Sequence, residues 1–211
     1  MALRGRDLPR AIPLFPLPGA ILLPRASLPL HIFEPRYLQM LDDTLKTPER
    51  LIGMIQPLGE GLASIGCAGR VVMFSEHEDG RLDIVLRAAS RFTLDTVEEG
   101  FTPYLRGEVD WSGFEADRDA RAATDPGLDR DSMLDKLLRY MQARELSTDW
   151  EAARAADDEM LINSLSMLLP LGTEEKQALL EAETLPERRE LLDGLLEYAL
   201  HGGPDDEETV H

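Results

Sequence analysis

Lysine is scarce in this chain: only Lys46, Lys136 and Lys176 occur among 211 residues, against 40 acidic side chains and a net charge of −18. The acidity is uneven. Residues 1–112 carry 15 acidic and 12 basic side chains, whereas residues 128–200 carry 17 and eight. Nucleic-acid binding needs a basic face that displaces phosphate counterions, and no basic cluster is present, so nucleic acid is excluded as a partner. Cysteine is nearly absent: Cys67 alone excludes an internal disulfide and a cysteine-built metal cluster, and it fits a reducing, cytoplasmic compartment. Long apolar runs are also missing. The basic start MALRGRDLPR is followed by Pro13 and Pro16 before any 7–15-residue apolar stretch develops. We read no signal peptide, no membrane span and no membrane partner.

The signatures of several chemistries are lacking too. Gly61 and Gly66 have the separation of a phosphate-binding loop, but the lysine and hydroxyl that would follow are replaced by Cys67 and Ala68. There is no Gly-x-Ser-x-Gly elbow, and the three lysines that could serve a Ser–Lys dyad all fall on predicted helices. Glu76-His77-Glu78-Asp79 is the one dense group of metal-ligand types, and it sits at a predicted hairpin tip, where polar residues belong anyway. His31 lies in an apolar strand pattern and reads as a hydrogen-bonded packing histidine; His201 and His211 lie in or beside the tail. Accordingly no metal, no cofactor and no catalytic residue is assigned.

What is present is a proline-studded apolar run from Ile12 to Tyr37, IPLFPLPGAILLPRASLPLHIFEPRY. Proline fixes φ and has no amide donor, so this run can form only short strands with exposed edges and turns between them. Strands are predicted at Ile12–Leu17, Leu28–Phe33, Leu51–Gln56, Leu62–Ser75, Leu82–Arg87, Phe92–Val97 and Leu105–Trp111. Glu78-Asp79-Gly80 reads as a hairpin turn. One helix interrupts them, from Pro35 to about Leu45, with Pro35 in its first turn. Residues 113–127 are polar and alanine-rich and read as a linker or mobile loop ending in the Asp-Pro-Gly breaker, with room for a short helix. Helical stripes follow: Met133, Leu134, Leu137, Leu138 and Met141; Leu161, Ile162, Leu165, Leu168 and Leu169; Ala178, Leu179 and Leu180, with Thr173 as cap; and Leu191, Leu192, Leu195, Leu196 and Leu200, with Pro186 in the first turn. Each has one apolar face, so they must pack together. The expected organisation is α+β: a β-rich pseudo-barrel over 10–112 with one helix, the linker, a helical bundle over 128–200, and a disordered acidic tail over 201–211.

Three stretches resemble the N-terminal, substrate-binding domain of Lon-type proteases. They are Ile12-Pro-Leu-Phe-Pro-Leu with Leu23-Pro24 and Leu28-Pro-Leu-His-Ile-Phe-Glu-Pro-Arg-Tyr37; Gly66-Cys-Ala-Gly-Arg-Val71; and Arg91-Phe92, where the family's preceding glycine is replaced by Ala88. The Glu34-Pro35-Arg36-Tyr37 motif is typical of stand-alone members that lack the ATPase and protease. The resemblance implies a PUA-like, β-rich pseudo-barrel followed by a helical bundle. It also implies structural roles for the motif residues Pro16, Pro24, Glu34, Pro35, Arg36, Tyr37, Gly66, Arg91 and Phe92.

The function that this implies is non-catalytic: a polypeptide-binding module that presents clients to, or modulates, a protease or chaperone. Apolar side chains left uncovered at a groove would do this work. The candidates are Leu14, Phe15, Leu22, Leu23 and Phe33 in the proline-rich opening, with Trp111 and Phe114 at the seam between the two parts. The alternatives are a small-molecule enzyme on the same scaffold, which needs a polar pocket with perturbed titratable groups, and a structural oligomerisation protein using the bundle face.

Overall fold

A computed structural model describes residues 8–201 apart from 99, 101 and 120. The chain runs β1 (Ala11–Pro16), β2 (Ser27–Ile32), α1 (Pro35–Leu45), β3 (Leu51–Ile55), β4 (Pro57–Leu58), β5 (Gly61–Leu62), β6 (Ile65–Glu76), β7 (Leu82–Glu98) and β8 (Arg106–Asp110). A 3-10 turn (Glu115–Arg118) leads to α2 (Arg130–Ala143), α3 (Trp150–Ala155), α4 (Asp158–Leu168), α5 (Thr173–Glu181) and α6 (Leu185–Leu200). The main sheet has the order β2-β7-β6-β3-β1-β8, and β8 pairs back onto β7. Five strands therefore close on themselves, and β2 is left outside as an edge strand. This is the α+β architecture expected, a small barrel followed by helices. The tail expected to be disordered lies outside the described residues from 202 onward.

Barrel closure depends on β7. Its edge is shared by two strands: Leu82–Arg87 pairs with β2, and Thr93–Glu98 pairs with β8. Two separate strands were expected here, Leu82–Arg87 and Phe92–Val97. They form one, because the Ala88–Ala89–Ser90 stretch is absorbed by a register shift opposite Ala68 and Gly69 instead of breaking the strand. A bulge bends a strand without ending it, which lets one strand serve both the flat extension and the closed wall. The small radius also demands glycine. A Cβ on Gly66 would lie 2.6 Å from the Met54 carbonyl oxygen and 2.5 Å from Phe92 Cζ. Backbone cannot retreat as a side chain can, so Gly66→Ala is expected to destabilise the fold by about 1–3 kcal/mol, read as a lower denaturant midpoint at unchanged slope.

Two apolar clusters fill the molecule. The smaller closes one barrel end with Ile12, Leu14, Leu51, Ile55, Phe92 and Val109. The larger runs from Leu22, Leu23, Ile52 and Met54 of the β part into Leu137, Leu161, Leu179 and Leu192 of the helices. Barrel and bundle thus share one core. The excess acid of the second half has local work at helix starts: Asp129, Asp149 and Asp157 accept hydrogen bonds from the amides of Ser132, Ala152 and Met160. Thr173 is not the cap expected of it but the first residue of α5. Gly172 precedes it, and Glu175 Oε2 accepts from the Gly172 amide at 2.7 Å.

Residues 113–127 hold the short 3-10 turn at Glu115–Arg118 and two anchored carboxylates. Asp117 and Asp125 are buried, and each is ion-paired, to Arg91 and Arg189 respectively.

Candidate functional site

Four of the seven side chains expected to contact a polypeptide are inside the core. Leu14, Leu22 and Leu23 are fully buried and Phe15 is 5% exposed. The prolines around them keep the strands short but do not keep these side chains out, because β1 lies in the barrel wall and residues 21–24 turn beneath the bundle. Phe33, by contrast, is 60% exposed. Trp111 packs edge-on against Phe92 and donates its indole N–H to the Pro9 carbonyl at 2.9 Å, so it seals the barrel end. Phe114 lies beneath the Arg91 guanidinium, 5.0 Å from its centre. Leu14, Phe15, Leu22 and Leu23 are therefore core residues, and Trp111 and Phe114 are engaged within the fold.

The motif residues hold the fold's joints. Pro35 opens α1, and Glu34 just before it is ion-paired with Arg36 at 2.8 Å. The Tyr37 ring sits 4.3 Å from that of Phe15. Pro16 ends β1, and Pro24 is buried with its carbonyl accepting from Asn163 Nδ2 at 3.1 Å. Arg91 is the central cross-link. Its Nε and Nη2 donate to the two oxygens of Asp117 at 2.9 and 3.0 Å, and Nη1 donates to the carbonyls of Leu180 and Ala182 at 3.1 and 2.6 Å. One side chain thus ties β7, the 113–127 segment and the α5–α6 connection. Arg188 lies nearby, donating to the Leu179 carbonyl and to Asn163. Burial, and then the charge of Arg91, push its guanidinium down to about 10, so it stays charged at neutral pH.

Two clefts flank this seam. One, of about 380 Å³, is bordered by Arg25, Arg91, Asp117, Arg121, Glu159 and Arg188. Four of those charges are already matched: Arg25 with Glu159, and Arg91 with Asp117. Among the described residues no buried side-chain nitrogen or oxygen lacks a hydrogen-bond partner. The other cleft, of about 370 Å³, lies between β2 and α4, with Ser27, Leu28 and Pro29 on one wall and Met160, Met167 and Leu168 on the other. Met160 is 58% exposed and Leu168 is 79% exposed. Leu168 was read as part of an inward stripe; only Leu161, Ile162, Leu165 and Leu169 of that set are buried. β2 supplies one wall of this groove; it pairs with β7 alone, so its other edge is free of strand partners. Arg87, opposite Ser27 in the register, stands at the same groove. Sequence reasoning missed this site. The available signal was Met160, an apolar residue outside the buried stripe of α4.

Elsewhere on the sheet, His31 and His77 both contact Asp83: His31 Nδ1 lies 2.6 Å from Oδ1 and His77 Nε2 lies 2.7 Å from Oδ2. These contacts, that of His31 first, hold the Asp83 carboxyl below the usual carboxylate range. His31 is thus on the exposed face of β2, not packed as its strand pattern suggested. Cys67 is the opposite case. It is fully buried, and burial pushes its thiol well up. Native protein is therefore expected to resist a thiol-labelling reagent until denaturant is added, which a colourimetric thiol assay reads directly.

The fold is a closed barrel sealed to a helical bundle, with an open groove between β2 and α4. Residues 11–197 match the family model of the ATP-dependent protease La (LON) substrate-binding domain, and the chain belongs to that family. It is 24% identical to the Lon protease of Xanthomonas oryzae pv. oryzae over 197 residues, covering 88% of this chain and 23% of that protein. Against Lon protease 1 of Hydrogenovibrio crunogenus the figures are 24% over 196 residues, 82% and 22%. The chain therefore spans under a quarter of the length of these relatives. Among solved structures, the Lon N-terminal domain protein from Xanthomonas campestris is 27% identical with a TM-score of 0.62, covering 87% of this chain and 97% of that one. The N-terminal domain of the Mycobacterium avium complex Lon protease has the same fold, at 19% identity and a TM-score of 0.64, covering 89% and 98%. Among the described residues, no helix is long and apolar enough to cross a membrane.

Proposed function

We propose that this chain is a non-catalytic recognition module that binds extended, apolar segments of unfolded polypeptides in the groove between β2 and α4, and presents them to a protease or chaperone. The observation that carries the reading is the pairing of an edge strand with a methionine- and leucine-lined helix face. An edge strand offers main-chain groups to an incoming strand, and Pro29 within it discourages indiscriminate sheet extension. Met160 and Met167 are unbranched and polarisable, so they adapt to varied apolar side chains. Membership of a substrate-binding family supports the same reading. Phe33 is exposed just past the end of β2, beyond the groove's lining.

The seam cleft supports the enzyme alternative less well, because its buried charges are matched to one another and to backbone carbonyls. The reading is tested by fluorescence anisotropy with a labelled, permanently unfolded protein. Saturable binding that a native globular protein does not compete for is the expected result. Equal affinity for folded and unfolded probes, or no binding, contradicts it.

A further inference from the structure

We propose that His31, Asp83 and His77 form a binding site for a divalent transition-metal ion of the zinc class, a role separate from polypeptide recognition. Three observations carry it. The first is placement. His31 and Asp83 are direct partners across the β2–β7 pairing, so their side chains leave the same face of the sheet, and His77 follows immediately after Glu76, the last residue of β6. Two paired strands and the β6–β7 turn thus bring together ligands separated by up to 52 residues in sequence. The second is the scaffold. The His77 amide donates to the Arg81 carbonyl and the Gly80 amide to the His77 carbonyl, both at 2.9 Å, while Asp79 pairs with Arg81 at 2.6 Å. The turn that carries His77 is closed on itself and does not depend on an ion.

The third is ligand geometry. One imidazole nitrogen from each histidine and a carboxylate oxygen all lie within 4.8 Å of one another. Zinc bonds of about 2.0–2.2 Å in a tetrahedral arrangement place neighbouring ligand atoms roughly 3.3–3.5 Å apart. The present 2.6 and 2.7 Å contacts therefore need to open by less than about 1 Å, with each imidazole exchanging a proton for the metal. Side-chain exposures of 41%, 43% and 48% for His31, His77 and Asp83 leave room for that adjustment and for water as a fourth ligand. Two imidazoles and one carboxylate suit zinc, cobalt and nickel better than magnesium or calcium, which prefer an all-oxygen shell. The sequence pattern explains the Glu76–Asp79 run as a polar hairpin tip, and only His77 of the three ligands lies in it. An ion here would pin β2, which forms one wall of the polypeptide groove, to the β6–β7 hairpin.

The test is calorimetric titration of the tag-free protein with zinc chloride, alongside His31→Ala, His77→Ala and the control His201→Ala. One equivalent of zinc, with affinity weakened about tenfold or more in the first two and unchanged in the control, is expected. Zinc should raise the melting temperature of the parent protein and not of the His31→Ala/His77→Ala double variant. A readout that needs no variant is the histidine side-chain NMR spectrum, in which His31 and His77 move on adding zinc while His201 does not. No zinc uptake, uptake undiminished in the double variant, or movement of other histidines only would overturn the assignment and leave the cluster as hydrogen bonds at a sheet edge.

Discussion

Arg91→Ala is expected to lower stability by about 3–5 kcal/mol, the largest effect of any single exchange considered. The side chain is 6% exposed and its partner Asp117 is 4% exposed. Truncation leaves a buried carboxylate without its bidentate partner, and it strips the carbonyls of Leu180 and Ala182 of a donor. At roughly 2–4 °C per kcal/mol for a chain of this size, the melting temperature should fall by about 10 °C. Arg91→Lys should recover little, because an ammonium cannot span two carboxylate oxygens and two carbonyls at once. Arg91→Met/Asp117→Leu should recover more than either single exchange, since it removes both charges together. Differential scanning calorimetry of the four proteins decides this. If Arg91→Ala melts within 2–3 °C of the parent, the seam does not depend on this ion pair.

Met160→Asp/Leu168→Asp should abolish binding of an unfolded polypeptide at concentrations that saturate the parent, a loss of at least about tenfold in affinity. Both side chains face solvent, so the melting temperature should shift by no more than a degree or two. A charge placed in an apolar groove must be desolvated when a client covers it, which is why aspartate is more informative than alanine. Phe15→Asp, by contrast, should fail through unfolding, because Phe15 belongs to the shared core. Loss of binding with retained stability separates a surface role from a core role.

Much of this fold is legible in the sequence, and the reasons are local. Pro35 at the start of α1, with Leu38, Leu41 and Leu45 at helical spacing, delimits that helix, and the Asp79-Gly80 pair marks the hairpin, where Gly80 takes φ +81°. The run Leu82–Glu98 is legible as strand but not as one strand, because a bulge is set by the partner's register, which no local pattern records. The client groove is less legible still. Apolar character alone does not separate Leu14 and Leu23, sealed in the core, from Leu168, left outside: that distinction is made by which elements cover each residue. Arg91 and Asp117 pair across 26 residues, and His31, His77 and Asp83 meet from two strands and a turn, so neither grouping has a sequence spacing that announces it.

Hydrogen exchange measured by mass spectrometry, with and without a saturating unfolded client, tests the central claim most directly. The account predicts slowed exchange in peptides covering residues 24–32 and 157–168, the two walls of the groove, with little change in α2 and α6. Slowed exchange confined to the exposed α6 face around Leu191, or none at the groove while the client is bound, would contradict it.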